Sequence, residues 1–152
     1  MDIINIEFKY PIWKERHIDF FETLDHNAKV IANTLIDQNV QIVGIGSSGV
    51  FVGTLMFERL FKLGICVTLN IVQKPGTNHH HSYRVPQNLC KSCVTLLVDD
   101  FVSSGSTLNN LFLDIKNKID EKNIAVYLLN SEEKEKRIFE FNIKYFFTCT
   151  QD

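Results

Sequence analysis

An alternation of apolar runs and helical stripes from residue 40 onward restricts most strongly how this chain can fold. The first strand–helix–strand unit of this pattern consists of an apolar run at Val40–Ile45, a glycine-rich turn, a stripe of apolar residues at helical spacing and a β-rich run at 66–72. Apolar residues at every third or fourth position indicate a helix, and short β-branched runs indicate buried strands. Strands that alternate with helices predict a mainly parallel sheet covered on both faces.

The same alternation extends over the rest of the chain. Further strands are predicted at 3–8, 94–98, 124–129 and 143–148, and helices over 18–35, 52–63 and 108–119. The expected architecture is an α/β fold with a Rossmann-like, mainly parallel sheet flanked by helices. In such sheets ligands bind where strands end and helices begin.

Composition limits the class of protein without selecting a function. With 152 residues we expect a single domain over 1–152. Sixteen basic and eighteen acidic residues give a net charge of −2, so no positive field attracts nucleic acid. Neither a signal-peptide pattern nor a membrane-spanning apolar run is found, so we expect a cytoplasmic protein without a membrane partner. The four cysteines are then expected to be reduced thiols.

An acidic pair and a hydroxyl-rich loop follow the strand predicted at 94–98. Asp99 and Asp100 can accept hydrogen bonds from sugar hydroxyls or hold the water shell of Mg²⁺. The loop after them can surround a phosphate with amides and hydroxyls at the positive end of a helix. Its residues are Ser103, Ser104, Gly105, Ser106 and Thr107. A phosphorylated sugar with a metal ion fits both features, whereas the simpler alternative is a helix cap beside two solvated acids.

This stretch resembles the motif that binds phosphoribosyl pyrophosphate (PRPP) in type I phosphoribosyltransferases. The resemblance covers four apolar residues, two acids, an apolar pair and a Ser/Thr-Gly-x-Thr loop, without a gap. It implies that Asp99 and Asp100 are catalytic and bind the ribose hydroxyls, directly or through Mg²⁺, and that 103–107 binds the 5′-phosphate. It also implies the family's fold and the family's reaction, the transfer of ribose 5-phosphate to a nucleobase in nucleotide salvage. A purine is favoured over a pyrimidine as the acceptor.

A second glycine- and serine-rich turn follows Val40–Ile45. Residues 44–49 form a G-x-G-x-x-G pattern that suits a dinucleotide, but the next predicted strand lacks the terminal acid that such a cofactor's ribose needs. By the resemblance this turn is the pyrophosphate loop. Its residues are Gly46, Ser47, Ser48 and Gly49. It contains no lysine or arginine, so amides, hydroxyls and Mg²⁺ would hold the pyrophosphate.

Two other functions remain open. Residues 42–65 also resemble the start of a sugar isomerase (SIS) domain, which binds phosphosugars. In that family the hydroxyl loop directly follows its strand, so Asp99 and Asp100 would lie inside a buried strand, where unpaired carboxylates are costly. The other alternative is a module that senses PRPP or a nucleotide without catalysis. The absence of lysine and arginine from residues 46–49 favours this alternative.

A long polar segment precedes the strand predicted at 94–98, and we expect a mobile loop at about 75–92. The resemblance implies that this loop closes over PRPP and that Lys74 contacts pyrophosphate, with Arg84 as a second cation. Solvated surface is the alternative for both. The histidines at 79–81 and the C-x-x-C cysteines, Cys90 and Cys93, suit zinc, although one C-x-x-C is a weak signal.

For base recognition the resemblance implies Asn130 and the aromatic residues Phe146 and Phe147 of the last strand. Core packing is the alternative for the two phenylalanines. Ser103 occupies the place of an aspartate that hypoxanthine-type members carry, so a preference for 6-oxopurines is not implied. The expected partners are PRPP and a nucleobase, with a homo-oligomer as is common in the family.

Overall fold

Six parallel strands form one sheet in the computed structural model, which describes residues 3–9, 19–72, 86, 88–100, 105–129 and 139–150. The strands are β1 (Ile4–Lys9), β2 (Val40–Ile45), β3 (Val67–Val72), β4 (Val94–Asp99), β5 (Ile124–Leu128) and β6 (Tyr145–Thr150). Their order across the sheet is β1-β6-β5-β4-β2-β3. Each adjacent pair is parallel, which confirms the predicted α/β architecture.

Three α-helices accompany the sheet within the described ranges. They are α1 (Asp19–Thr34), α2 (Gly46–Lys62) and α3 (Ser106–Ile115), and a 3₁₀ turn over Lys116–Lys118 extends the last of them. In the part of the chain that is described, none of these helices has the length and apolar character needed to cross a bilayer.

Two predicted boundaries differ from the structure for the same reason. The last strand begins at Tyr145 although its apolar run begins at Ile143, and α3 ends at Ile115 although its stripe continues to Ile119. Both Ile143 and Ile119 are buried in the core without belonging to the element. Hydrophobic periodicity reports which side chains face the core, and backbone pairing can end earlier.

Two apolar cores lie on opposite faces of the sheet. One face of β4 presents Leu96 and Val98 to the core that includes α1 and α2, and the other presents Leu97 to the core that includes α3. Every residue of β2, β4 and β5 is buried. A sheet covered on both faces explains why these strands read as continuous apolar runs.

Two glycines allow α2 to approach the sheet closely. A Cβ on Gly44 would lie 2.6 Å from the carbonyl oxygen of Gly49, and a Cβ on Gly49 would lie 2.9 Å from the carbonyl oxygen of Val98. Contacts this short leave no room for a side chain at either position unless the neighbouring backbone shifts. The start of α2 therefore packs directly on the ends of β2 and β4.

Candidate functional site

The strand ends at which the two predicted turns begin, Ile45 and Asp99, lie side by side at the carboxyl edge of the sheet. β2 and β4 are adjacent and parallel, with Gly44 paired to Val98. The hydroxyl of Ser48 donates a hydrogen bond to Asp99 Oδ1 over 3.4 Å. This contact joins the first turn of α2 to the end of β4, across 51 positions of sequence.

Asp99 is the last residue of β4 and is held in place by hydrogen bonds. Its side chain is buried, with 4% exposure. Its Oδ1 atom also accepts the backbone N–H of Asp100 at 2.9 Å, and its carbonyl oxygen accepts the N–H of Leu129 at 3.2 Å. Donors of this kind are what a buried carboxylate requires. Asp99 therefore has a defined orientation before any ligand binds.

Asp100 lies one residue beyond β4 and is more open, being only partly buried. The sequence presents the two acids as an equivalent pair, and the structure distinguishes them. Asp99 is packed against the first turn of α2, whereas Asp100 is the more accessible of the two to a ligand. This difference depends on where β4 ends, because the strand includes the first acid and excludes the second.

The predicted loop over residues 46–49 is the first turn of α2. The helix begins at Gly46, which has φ 71°, and its N-cap residue, Ile45, makes no side-chain capping bond. The first amides of an α-helix have no carbonyl partner within the helix, and the helix dipole adds positive character there. This end of α2 can therefore bind an anion through its backbone, without lysine or arginine.

A second helix N-terminus follows β4. Gly105, with φ 77°, is the N-cap of α3, and no side-chain capping bond is formed. Ser106 and Thr107 lie within the first helical turn, while Ser103 and Ser104 fall outside the described residues. The amides and hydroxyls at this helix start suit a second anionic group.

The predicted base-binding aromatic residues lie in the core. Phe146 is 1% exposed and Phe147 is completely buried, on opposite faces of β6. Phe146 packs edge-on to Phe139, with 5.9 Å between ring centroids, and Phe147 stacks on Tyr145 at 6.2 Å. Both rings follow the core-packing alternative, because neither has an exposed face on which a base could stack.

Several predicted positions lie outside the described residues. They are Lys74, the histidines at 79–81, Arg84 and Asn130, together with most of the expected mobile loop at 75–92. Within the described ranges, no three histidine, cysteine or acidic side chains are grouped as metal ligands. Cys90 and Cys93 therefore have no described third ligand with which to hold zinc.

The two carboxylates at the end of β4 fit Mg²⁺ better than zinc. Magnesium is generally held by one or two carboxylates together with waters and the phosphates of a substrate, rather than by a complete set of protein ligands. Asp99 and Asp100 offer such a partial set at the same edge of the sheet as the N-termini of α2 and α3. The donor chemistry of this edge is thus compatible with a magnesium ion that arrives with a phosphorylated substrate.

A cavity of about 690 Å³ lies at the opposite end of the sheet. Its lining includes Lys29, Asn33, Asp37 and Cys66, near the ends of α1 and α2 and the start of β3. None of the candidate site residues lines it. We place the functional site at the carboxyl edge, because the acids and the helix N-termini meet there and not at this cavity.

Comparison with known proteins identifies the fold. No family model matches the chain, and no curated protein is significantly similar to it in sequence. The structure is similar to that of a purine phosphoribosyltransferase from Pyrococcus horikoshii Ot3, with a TM-score of 0.62, 15% identity, and coverage of 97% of this chain and 89% of that one. The chain has the type I phosphoribosyltransferase fold.

Two further phosphoribosyltransferase structures give the same result. The hypoxanthine enzyme of Trypanosoma cruzi, in complex with the product IMP, matches with a TM-score of 0.65, 13% identity, and coverage of 88% of this chain and 76% of that one. The APRTase of Giardia lamblia, complexed with 9-deazaadenine, gives a TM-score of 0.64, 19% identity, and coverage of 93% and 92%. At these identities the similarity establishes the phosphoribosyltransferase fold, and the reaction has to be argued from the site.

The phosphoribosyltransferase fold also bears on the sugar isomerase alternative. That alternative requires both acids inside a buried strand, whereas β4 ends at Asp99 and leaves Asp100 outside. Sequence reasoning missed the contact between Ser48 and Asp99, as well as the close packing of Gly49. The G-x-G-x-x-G pattern contained the second signal, because its last glycine commonly permits close packing of a helix on a strand.

Proposed function

We propose that this protein is a PRPP-dependent phosphoribosyltransferase that transfers ribose 5-phosphate to a purine base. The observation that carries the proposal is the position of Asp99 and Asp100 at the end of β4, beside the first turn of α2 and shortly before the start of α3 in the chain. PRPP has two vicinal hydroxyls between two anionic groups. Acids flanked by two anion-binding helix starts match that order of groups.

Each part of the site has a separate proposed role. Asp100 accepts hydrogen bonds from the ribose hydroxyls, and Asp99 orients this end of β4 while it contributes to the same contacts. Residues 103–107 bind the 5′-phosphate, and residues 46–49 bind the pyrophosphate through the first amides of α2. Lys74 is proposed as a cationic contact to the pyrophosphate. Asn130 is the proposed contact to the base, since Phe146 and Phe147 are core residues.

A magnesium ion is part of the proposal. Asp99 and Asp100 would hold it, directly or through water, together with oxygens of the substrate. When bound, it would neutralise charge on the pyrophosphate and so assist its departure. The chain's own residues orient the sugar and the two anionic groups around that ion.

Positioning and electrostatics account for the proposed reaction. A nitrogen atom of the base forms a bond to C1′ of the ribose, the C1′–oxygen bond to pyrophosphate breaks, and the base loses a proton to solvent. Fixed amides and carboxylates at this edge of the sheet hold both reactants and stabilise the charges that develop. No side-chain nucleophile is needed.

Purines are preferred as the acceptor because the three similar structures described above are purine enzymes by name. The test is to incubate the full chain with PRPP, Mg²⁺ and each of hypoxanthine, guanine, adenine, uracil and orotate. Release of pyrophosphate and formation of the matching nucleotide are measured. We expect turnover with at least one purine, and turnover with pyrimidines alone would overturn the proposed substrate class.

One observation favours a second candidate function, a PRPP- or nucleotide-sensing module. The segment 46–49 contains no lysine or arginine, so its hold on the leaving pyrophosphate depends on backbone amides and hydroxyls. A sensing module would bind PRPP or a nucleotide with Mg²⁺, yet it would release no pyrophosphate with any base. Isothermal titration with PRPP beside the turnover assay distinguishes the two functions.

A further inference from the structure

A cysteine pair lies at the end of β4 opposite the candidate site. Cys90 and Cys93 flank a turn that leads into β4, and Asp99 closes the far end of the same strand. A strand rises about 3.3 Å per residue, so this turn lies roughly 20 Å from the acids. The proposed transferase function leaves the pair without a role.

Several donors surround the sulfur of Cys90. The Ser92 hydroxyl lies 2.8 Å from Cys90 Sγ, and the backbone N–H of Ser92 donates to the same sulfur at 3.3 Å. Together, and led by the Ser92 hydroxyl, these donors lower the pKa of Cys90 from its ordinary value.

Cys93 has the opposite character. Partial burial, and then its hydrogen bond to Cys90, raise the pKa of Cys93 to about 11. Both thiols are partly exposed. The pair therefore contains one thiol that ionises more readily than usual and one that keeps its proton. An accessible, easily ionised sulfur is the reactive partner of a dithiol, and the second sulfur follows it.

Gln41 of β2 fixes the position of this turn. Its side chain accepts the backbone N–H of Cys90 at 2.8 Å and donates to the Cys90 carbonyl oxygen at 2.8 Å. It also donates to Thr95 Oγ1 at 2.8 Å. Gln41 is 1% exposed, so a buried side chain anchors the backbone of Cys90, which is itself partly exposed.

We propose that Cys90 and Cys93 form a redox-active dithiol that reacts with small-molecule disulfides. The thiolate of Cys90 attacks one sulfur of the disulfide and forms a mixed disulfide, while the other sulfur leaves as a thiolate. Cys93 then loses its proton to solvent and attacks Cys90 Sγ, which expels the second thiolate. The protein loses two hydrogens as the Cys90–Cys93 bond forms, and the small disulfide becomes two thiols.

Cys66 provides a matched comparison. It is an exposed free thiol at the same end of the sheet, close enough to Cys93 to contribute to the raised pKa there. It lies outside the turn that surrounds Cys90 Sγ with donors. A reaction that depends on the C-x-x-C turn should therefore select Cys90 over Cys66, and one that depends on exposure alone should not.

The test uses the full chain and oxidised glutathione as the small disulfide. After incubation at pH 7, free thiols are alkylated and the protein is digested and analysed by mass spectrometry. We expect a Cys90–Cys93 cross-link, and an initial reaction rate at Cys90 about tenfold or more above that at Cys66. Equal rates at the two sites, or a cross-link that excludes Cys90, would overturn the proposal.

Single substitutions provide a second test of the order in which the two thiols react. Cys93→Ser should stop the reaction at a stable glutathione adduct on Cys90, and Cys90→Ser should leave Cys93 unmodified. Cys66→Ser should behave as the unaltered chain does. Circular dichroism verifies folding of each variant, and the site-resolved rates in the unaltered chain test the proposal even where a variant fails to fold. An adduct on Cys93 in the Cys90→Ser variant would contradict the assigned order of attack.

Discussion

The two ends of β4 carry different chemistry and are built in different ways. At the carboxyl end, Asp99 is held by a contact to Ser48 that joins residues 51 positions apart. At the amino end, the donors around the Cys90 sulfur come from within three residues along the chain. The carboxyl end packs against Gly49 of α2, and the amino end is anchored to Gln41 of β2.

This difference indicates what each site requires. The carboxyl end depends on packing between α2 and β4, so its geometry responds to changes in the helix as well as in the acids. The amino end depends on a short turn whose chemistry the local sequence supplies, and Gln41 holds the backbone of that turn from a distant part of the chain. Substitutions that affect one end and not the other therefore test the comparison directly.

The largest effect is expected from the acids. Replacing Asp99→Asn and Asp100→Asn together removes both charges with little change of shape, and we expect kcat/KM for PRPP turnover to fall by about a thousandfold or more. Pyrophosphate release measures the effect, and circular dichroism verifies the fold. Asp114→Asn, on the exposed surface of α3, is the control. Unchanged turnover in the double variant would refute the assignment of the acids.

A smaller effect, on stability, is expected from the glycines of α2. Gly49→Ala places a methyl group 2.9 Å from the Val98 carbonyl oxygen and 3.4 Å from Asp99 Oδ1, so we expect a loss of about 1–3 kcal/mol in the free energy of unfolding. Gly53→Ala is the matched control, because its nearest described contact is 3.5 Å and alanine favours a helix by up to about 1 kcal/mol. Denaturant unfolding measures both, and effects of equal sign would contradict the close packing at Gly49.

Gln41→Leu tests the anchor at the amino end. The substitution leaves the backbone N–H and carbonyl of Cys90 without their buried partner, so we expect a loss of about 1–2 kcal/mol of stability. Because the change lies far from the acids, kcat for PRPP turnover should stay within about twofold of the unaltered chain. Gln38→Leu, at a partly exposed position, serves as the control. A large loss of turnover in Gln41→Leu would show that the two ends are coupled.

The smallest effect is expected from Ser92→Ala. The Ser92 hydroxyl is the largest cause of the lowered pKa of Cys90, so its removal raises that pKa and reduces the thiolate fraction near neutral pH. We expect alkylation of Cys90 at pH 7 to slow by about threefold to tenfold, with no difference well above the pKa. A pH series with iodoacetamide measures this shift. Ser92→Thr keeps the hydroxyl and should retain most of the rate, and an unchanged profile for Ser92→Ala would exclude the hydroxyl as the cause.

Much of the fold was predictable because strands and helices follow from residue patterns that are local in the sequence. β2 has the predicted bounds, and the acids lie at the end of β4 as expected, since a buried run followed by polar residues marks where a strand ends. Phe146 and Phe147 were predicted to bind the base, with core packing as the alternative, because an aromatic residue in a strand suits either a core or a ligand. Only the packing of helices on both faces of β6 decides between them.

By itself, the sequence determined the alternation of strands and helices, the acid pair at a strand end and the C-x-x-C turn. These features follow from residue types and spacing within a few positions of one another. The tertiary structure decided the strand order, the meeting of Ser48 with Asp99, and the different burial of Asp99 and Asp100. Each of those depends on contacts between distant parts of the chain, and such contacts are set by packing across the whole sheet rather than by local preference.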